Sequence, residues 1–199
     1  GAKELSCGYD FTFGKGGAGT TETLCRVAER HGVKVNVVEP VRLDGEPVSS
    51  TRIRQAILEG KMDEASRMLG RRFCLRLKVE HGNCIGRLLD FPTINQSFPQ
   101  HHIVPRYGVY STVVNVAGKL YGGVTNVGVK PTVGSDRPLS ETYILDYSGD
   151  LYGQTVEVYF FRFVRPEQKF GSIAELKEQI ARDKVDVAQE VAQNIEQML

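Results

Sequence analysis

Residues 106–129, RYGVYSTVVNVAGKLYGGVTNVGV, decide the fold class. Valine, tyrosine and threonine dominate both halves, and these residue types suit a pleated, half-buried surface. Between the halves VAGK, Val116 to Lys119, is short enough to turn the chain into a tight hairpin. The same grammar continues outward. FCLRLKVEHG (73–82), ETYILDYSG (141–149) and QTVEVYFFRFV (154–164) are further strand-like runs, set apart by Gly, Pro, Asn, Asp and Ser clusters. Short strands at this spacing predict a closed barrel or a sandwich. QTVEVYFFRFV carries apolar or aromatic side chains on both faces, so a cover is expected on both. SIAELKEQIARDKVDVAQEVAQNIEQML (172–199) supplies one. Ser172 and Glu175 form a capping box, and Leu176, Ile180, Val187, Val191, Ile195 and Met198 recur at helical spacing.

The first third reads differently. GYDFTF runs into the glycine-rich GKGGAG (14–19), then TETLCRVAERHG with helical spacing, then VKVNVVE as a strand, which is one βαβ-like unit. RIRQAILEG and MDEASRMLG follow as short helices, each closed by glycine, and look like a linker or docking segment.

The chain has 199 residues, 41% hydrophobic and 25% charged, with a formal net charge of +1. That balance leaves no field for binding nucleic acid by charge alone, and the expected partners are small molecules. Cys7, Cys25, Cys74 and Cys84 are too scattered for CxxC pairs and too few for a disulfide framework, which points to reduced thiols and a cytoplasmic setting. No apolar run approaches the roughly 20 residues that would span a bilayer.

Two stretches could hold phosphate. GKGGAG matches GxGxxG, precedes a helix and has Glu39 ~20 residues on, as in a dinucleotide fingerprint. Against this stand the short polar run before it and the lack of further βαβ units. VSSTRIRQ (48–55) places hydroxyls and arginines at a helix start, where they could receive a phosphate. An N-cap with solvated arginines explains the pattern as well.

In the β region GRLLDFPTIN (86–95), NVGVKPTVG (126–134), ETYILDYSGDLYG (141–153) and RPEQKF (165–170) follow in order. Together they resemble the riboflavin kinase family, which in bacteria forms the C-terminal half of bifunctional riboflavin kinase/FAD synthetase. The resemblance implies a mainly β fold, a six-stranded antiparallel barrel with a long C-terminal helix. It also implies phosphorylation of riboflavin by ATP with Mg2+, giving FMN and ADP. GYDFTFGKGGAG and VSSTRIR in turn resemble the latter half of the FAD synthetase module, a nucleotidyltransferase-like α/β segment whose first half is missing. The expected organisation is therefore a partial FAD synthetase module over 1–59, a helical linker over 60–72 and a riboflavin kinase domain over 73–199, without FAD formation by these residues.

By resemblance, Thr93 and Asn95 hold Mg-ATP, Gly86, Arg87, Phe91 and Pro92 belong to a flap over the nucleotide, and Asn126, Gly128, Pro131 and Thr132 form a second loop. The resemblance also implies that Glu141 is the catalytic base and that Arg165 lies near flavin and phosphate. By the resemblance to the FAD synthetase module, Ser49, Ser50, Thr51 and Arg54 would be vestiges of the adenylyltransferase site. The chemistry is coherent. Magnesium takes hard oxygen ligands and keeps waters and substrate phosphates, so a hydroxyl and an amide oxygen suffice without a carboxylate cage. Residues two apart in an extended segment point the same way, which lets Thr93 and Asn95 converge. A turn bonding its own backbone is the alternative for Thr and Asn behind a proline. The chain departs from the family pattern at Thr12 and Gly17, where arginines are usual, at Tyr143, where histidine is common, and at Asp90, where glycine is more frequent. Asp90 brings a negative charge toward the nucleotide, and a catalytically weakened flavin- or nucleotide-binding module is the alternative that it motivates.

Overall fold

The computed structural model describes residues 1–82, 91–129 and 137–195 and contains two compact units, residues 1–48 and 49–199. In the first, β1 (Glu4–Gly8) and β2 (Lys34–Val38) pair in parallel around α1 (Thr21–Arg30), the expected βαβ unit. The strand before the glycine loop is ELSCG rather than YDFTF. Phe13 makes only an isolated bridge to Gly19, and the glycines between them form a short 3-10 turn, Lys15–Gly17. Neither strand has a fully buried residue, so this pair is no central Rossmann sheet. A small ribbon, β3 (Arg42–Leu43) with β4 (Glu46–Pro47), completes the unit.

The second unit opens with α2 (Ser50–Leu58) and α3 (Met62–Leu69). Ser49 caps α2 by accepting the Arg52 N–H at 3.3 Å, and Gly70 closes α3 in the left-handed conformation that glycine adopts freely. Met62, Ala65 and Met68 are buried, and α3 packs on the first and last strands of the sheet that follows.

That sheet has six antiparallel strands: β5 (Phe73–Lys78), β6 (Thr93–Ser97), β7 (Gly108–Val116), β8 (Lys119–Val129), β9 (Pro138–Ile144) and β10 (Thr155–Arg165). Their spatial order is β5-β10-β7-β8-β9-β6. The sheet curls until its edge strands approach. Among the described residues, the Glu80 N–H bond to the Asn95 carbonyl (2.8 Å) and the Gln96 amide bond to the Leu77 carbonyl (2.7 Å) bridge the seam. The barrel expected by resemblance is thus present, closed by isolated contacts rather than a full ladder. The β7–β8 hairpin turns through Ala117 and Gly118, both at positive φ, as a two-residue loop requires, and the Asn115 side chain accepts the Gly118 N–H at 2.9 Å.

Alternation sorts side chains onto two faces. Inside the curl lie Leu75, Tyr110, Val114, Val127, Val158 and Phe160, all essentially inaccessible. Thr112, Thr125 and Thr142 share this interior as a chain of hydroxyls 2.8 Å apart, one per strand, so each buried hydroxyl is satisfied by its neighbour. On the outer face Val109, Val113, Val124 and Phe161 meet Val187 and Val191 of α4 (Ile173–Asn194). Each such aliphatic burial contributes about 1.5–3 kcal/mol. Half of the expected capping box forms: the Ser172 hydroxyl accepts the Glu175 N–H at 3.2 Å, while the Glu175 carboxylate accepts the N–H of Gly171, one residue before the cap, at 2.9 Å. Both faces of β10 are covered, as its composition requires, with Phe160 inside and Phe161 outside. Met198 lies outside the described residues.

Gly108 is the tightest point of this frame. Its φ is +146°, and a Cβ there would overlap the Arg165 backbone carbonyl and lie 2.7 Å from the Phe163 ring. Backbone cannot swing aside as a side-chain tip can. Gly108→Ala is expected to cost on the order of 2–4 kcal/mol, read as a lower melting temperature. An unchanged melting temperature would show that the β7–β10 contact yields to a methyl group.

Candidate active site

One rung of the sheet collects the chemistry. Asn95 on β6 stands opposite Glu141 on β9, Glu141 opposite Asn126 on β8, Asn126 opposite Val109 on β7, and Val109 opposite Arg165 on β10. Directly opposed residues project to the same face, so polar side chains distant in sequence line up beneath α4. Arg165 joins the rung only because β10 is irregular. A register shift between Phe163 and Arg165 inserts an extra residue, and without it Arg165 would face the barrel interior.

Above the rung lies a cavity of about 370 Å3. Thr93, Asn126, Glu141 and Arg165 line one side, Phe91 and Tyr143 form an aromatic wall, and Phe170, Leu176 and Ile180 make an apolar roof. Phe91 meets Tyr143 edge to face at 5.4 Å, and the Lys184 ammonium reaches the Tyr143 hydroxyl at 3.4 Å. Helix α4 therefore serves twice. Its first turns roof the cavity, and its later turns, at Val187 and Val191, pack the sheet.

The structure brings Phe91, Thr93, Asn126, Glu141 and Arg165 together in the cavity wall. Asn95 shares their face but sits at the closing seam, where a Cβ on Gly82 would come within 2.5 Å of its amide nitrogen. Pro92 is exposed just ahead of β6. Gly86, Arg87, Asp90, Pro131 and Thr132, and with them most of the expected flap and second loop, lie outside the described residues. Two placements differ from the sequence reading. Glu141 sits in the middle of β9, half-buried, because pairing starts at Pro138 opposite Val129, not at Glu141. Asn126 and Gly128 belong to β8, not a loop, since the alternating NVGV continues the ladder to Val129. Ser49 spends its hydroxyl on the α2 cap, and Ser50, Thr51 and Arg54 are exposed on that helix.

Arg165 is not a loose surface charge. Asp183 of α4 accepts from its Nε at 3.0 and 3.1 Å and from Nη2 at 2.6 Å, and Gln179 donates to the same carboxylate at 2.9 Å. Both partners are largely buried, at 15% and 4% side-chain exposure, so this pair holds its geometry better than exposed ion pairs do. Glu167 also reaches the cavity and accepts from Asn126 at 3.4 Å; a Cβ on Gly128 would collide with its carboxylate. Sequence reasoning missed Asp183 and Glu167. For Asp183 a signal exists: it falls between Ile180 and Val187 on the apolar stripe, where a lone carboxylate demands a partner.

The oxygen donors of Thr93 and Asn95 with the nearby Glu141 carboxylate are hard ligands suited to magnesium. Among the described residues no cluster of three or more His, Cys, Asp or Glu could hold a metal unaided. Such a set would need further ligands from outside the protein to complete a magnesium shell.

An antiparallel barrel with a helix-roofed small-molecule cavity on its outer face defines the class. Within it, the chain belongs to the riboflavin kinase family, whose model, described as riboflavin kinase, matches residues 69–191. A second family model, FAD synthetase, matches residues 1–52. Curated relatives include the bifunctional riboflavin kinase/FMN adenylyltransferases of Listeria monocytogenes, 34% identical over 92% of this chain and 59% of the relative, and Pseudomonas fluorescens, 38% identical over 92% and 59%. The chain thus spans under two thirds of the length of these relatives. A solved structure described as a macrolide-efflux protein from Streptococcus pneumoniae superposes with a TM-score of 0.81 at 35% identity, covering 97% of this chain and 60% of that one. Among the described residues no helix is long and apolar enough to cross a membrane.

Proposed function

We propose that the chain transfers the γ-phosphoryl group of ATP to the ribityl hydroxyl of riboflavin, forming FMN and ADP. The observation that carries this reading is the shared rung, which sets a half-buried carboxylate, Glu141, between two amides and beside a cavity with an apolar roof. Phosphoryl transfer asks a protein mainly for positioning and charge neutralisation. Thr93 and Asn95 would hold magnesium, which supplies charge neutralisation at the phosphates when bound. Glu141 orients the attacking hydroxyl and accepts its proton. Phe170, Leu176 and Ile180 receive the apolar flavin ring, and the Arg165 fork donates N–H groups at the polar end. The relatives are also named for FMN adenylyltransfer. Residues 1–52 match the FAD synthetase family, and the reaction proposed for the second unit is FMN formation. The setting proposed is the cytoplasm, where thiols stay reduced.

Incubation with riboflavin, ATP and magnesium is expected to yield FMN and ADP in equal amounts, separable by chromatography. Flavin binding with no ADP released would instead favour a binding module that has lost catalysis.

A further inference from the structure

We propose that Asp183 sets the preference of the cavity for an uncharged flavin over its phosphorylated product, by cancelling the charge of Arg165. This rests on the riboflavin kinase reading above and adds a charge-balancing residue to it. Among the described residues lining the cavity, Arg165 is the single cation, while Glu141, Glu167 and Asp183 are carboxylates. A kinase must bind a neutral alcohol and then release a phosphate ester carrying about two negative charges. An unopposed buried guanidinium would favour the product, and product would accumulate on the enzyme. Asp183 removes that bias. Its carboxylate takes Nε and one Nη2 donor of Arg165, and the Pro166 carbonyl takes one from Nη1, which fixes the fork while further N–H groups stay available for a neutral ligand. Both side chains are too buried for solvent to screen the interaction fully. The carboxylate also stands where helical spacing calls for an apolar residue, so packing of α4 alone does not explain it.

Asp183→Asn keeps the shape and removes the carboxylate paired directly with Arg165. The test titrates riboflavin and FMN separately into the full chain, without nucleotide or magnesium, following flavin fluorescence. The wild type is expected to hold riboflavin more tightly than FMN, and Asp183→Asn to shift the ratio of the two dissociation constants toward FMN by on the order of 10-fold. Asp183→Glu, which restores the charge, is expected to return the ratio toward the wild-type value. A role confined to holding the fold would weaken both flavins together and leave the ratio alone. If Asp183→Asn does not fold, Arg165→Gln is titrated instead: with the guanidinium gone and the Asp183 carboxylate left in place, the ratio is expected to move the other way, further toward riboflavin, by on the order of 10-fold. A ratio unchanged within about twofold in whichever comparison folds overturns the proposal while the kinase reading stands. A wild-type chain that binds neither flavin overturns both.

Discussion

Glu141→Gln is expected to lower the rate of FMN formation on the order of 100-fold or more, with riboflavin binding and melting temperature close to wild type. Glutamine has nearly the same shape, so it fills the same place between Asn95 and Asn126 on the rung. What it lacks is a carboxylate able to take the proton of the attacking hydroxyl. The loss therefore falls on kcat rather than on flavin affinity, because the proton moves only as the reaction proceeds. Steady-state kinetics at saturating riboflavin separate the two. Near-wild-type turnover would remove Glu141 from the chemistry and leave it a structural member of β9.

Thr93→Val and Asn95→Ala should act on the other substrate. Each removes one hard oxygen donor from β6 while leaving the backbone pairing with β9 intact. The magnesium concentration needed for half-maximal rate is expected to rise on the order of tenfold or more in either variant, with riboflavin affinity little changed. The effects should not simply add, because both residues serve one ion. Asn95→Ala carries a further consequence at the seam. Its side chain lies against Gly82, so a modest drop in stability from lost packing should accompany it, while the backbone bond from Glu80 to the carbonyl of residue 95 stays. A magnesium dependence identical to wild type in both variants would contradict the assignment of Thr93 and Asn95.

The parts of the fold written in local chemistry were legible. VAGK specified the β7–β8 turn, the Ser172 N-cap started α4, and the doubly apolar β10 found cover on both faces. The ordered motifs carried Thr93, Asn126, Glu141 and Arg165 to one cavity. Strand boundaries were less legible, because pairing across the sheet decides where a strand ends. Glu141 became a mid-strand residue through partners on β8 and β6 that no local pattern reveals. The register shift that turns Arg165 outward is equally non-local, depending on how Phe160 to Val164 share two covered faces. Asp183 illustrates the remaining gap. Its sequence position flags an unusual buried charge, but only the approach of α4 to the end of β10 supplies the guanidinium that satisfies it.

The activity proposed for this chain is phosphorylation of riboflavin. The most direct measurement is FMN formation by the purified 199-residue chain with riboflavin, ATP and magnesium, followed by chromatography alongside ADP release. The expected result is stoichiometric FMN and ADP, dependent on magnesium and reduced by Glu141→Gln. No FMN from a folded, flavin-binding chain would contradict it.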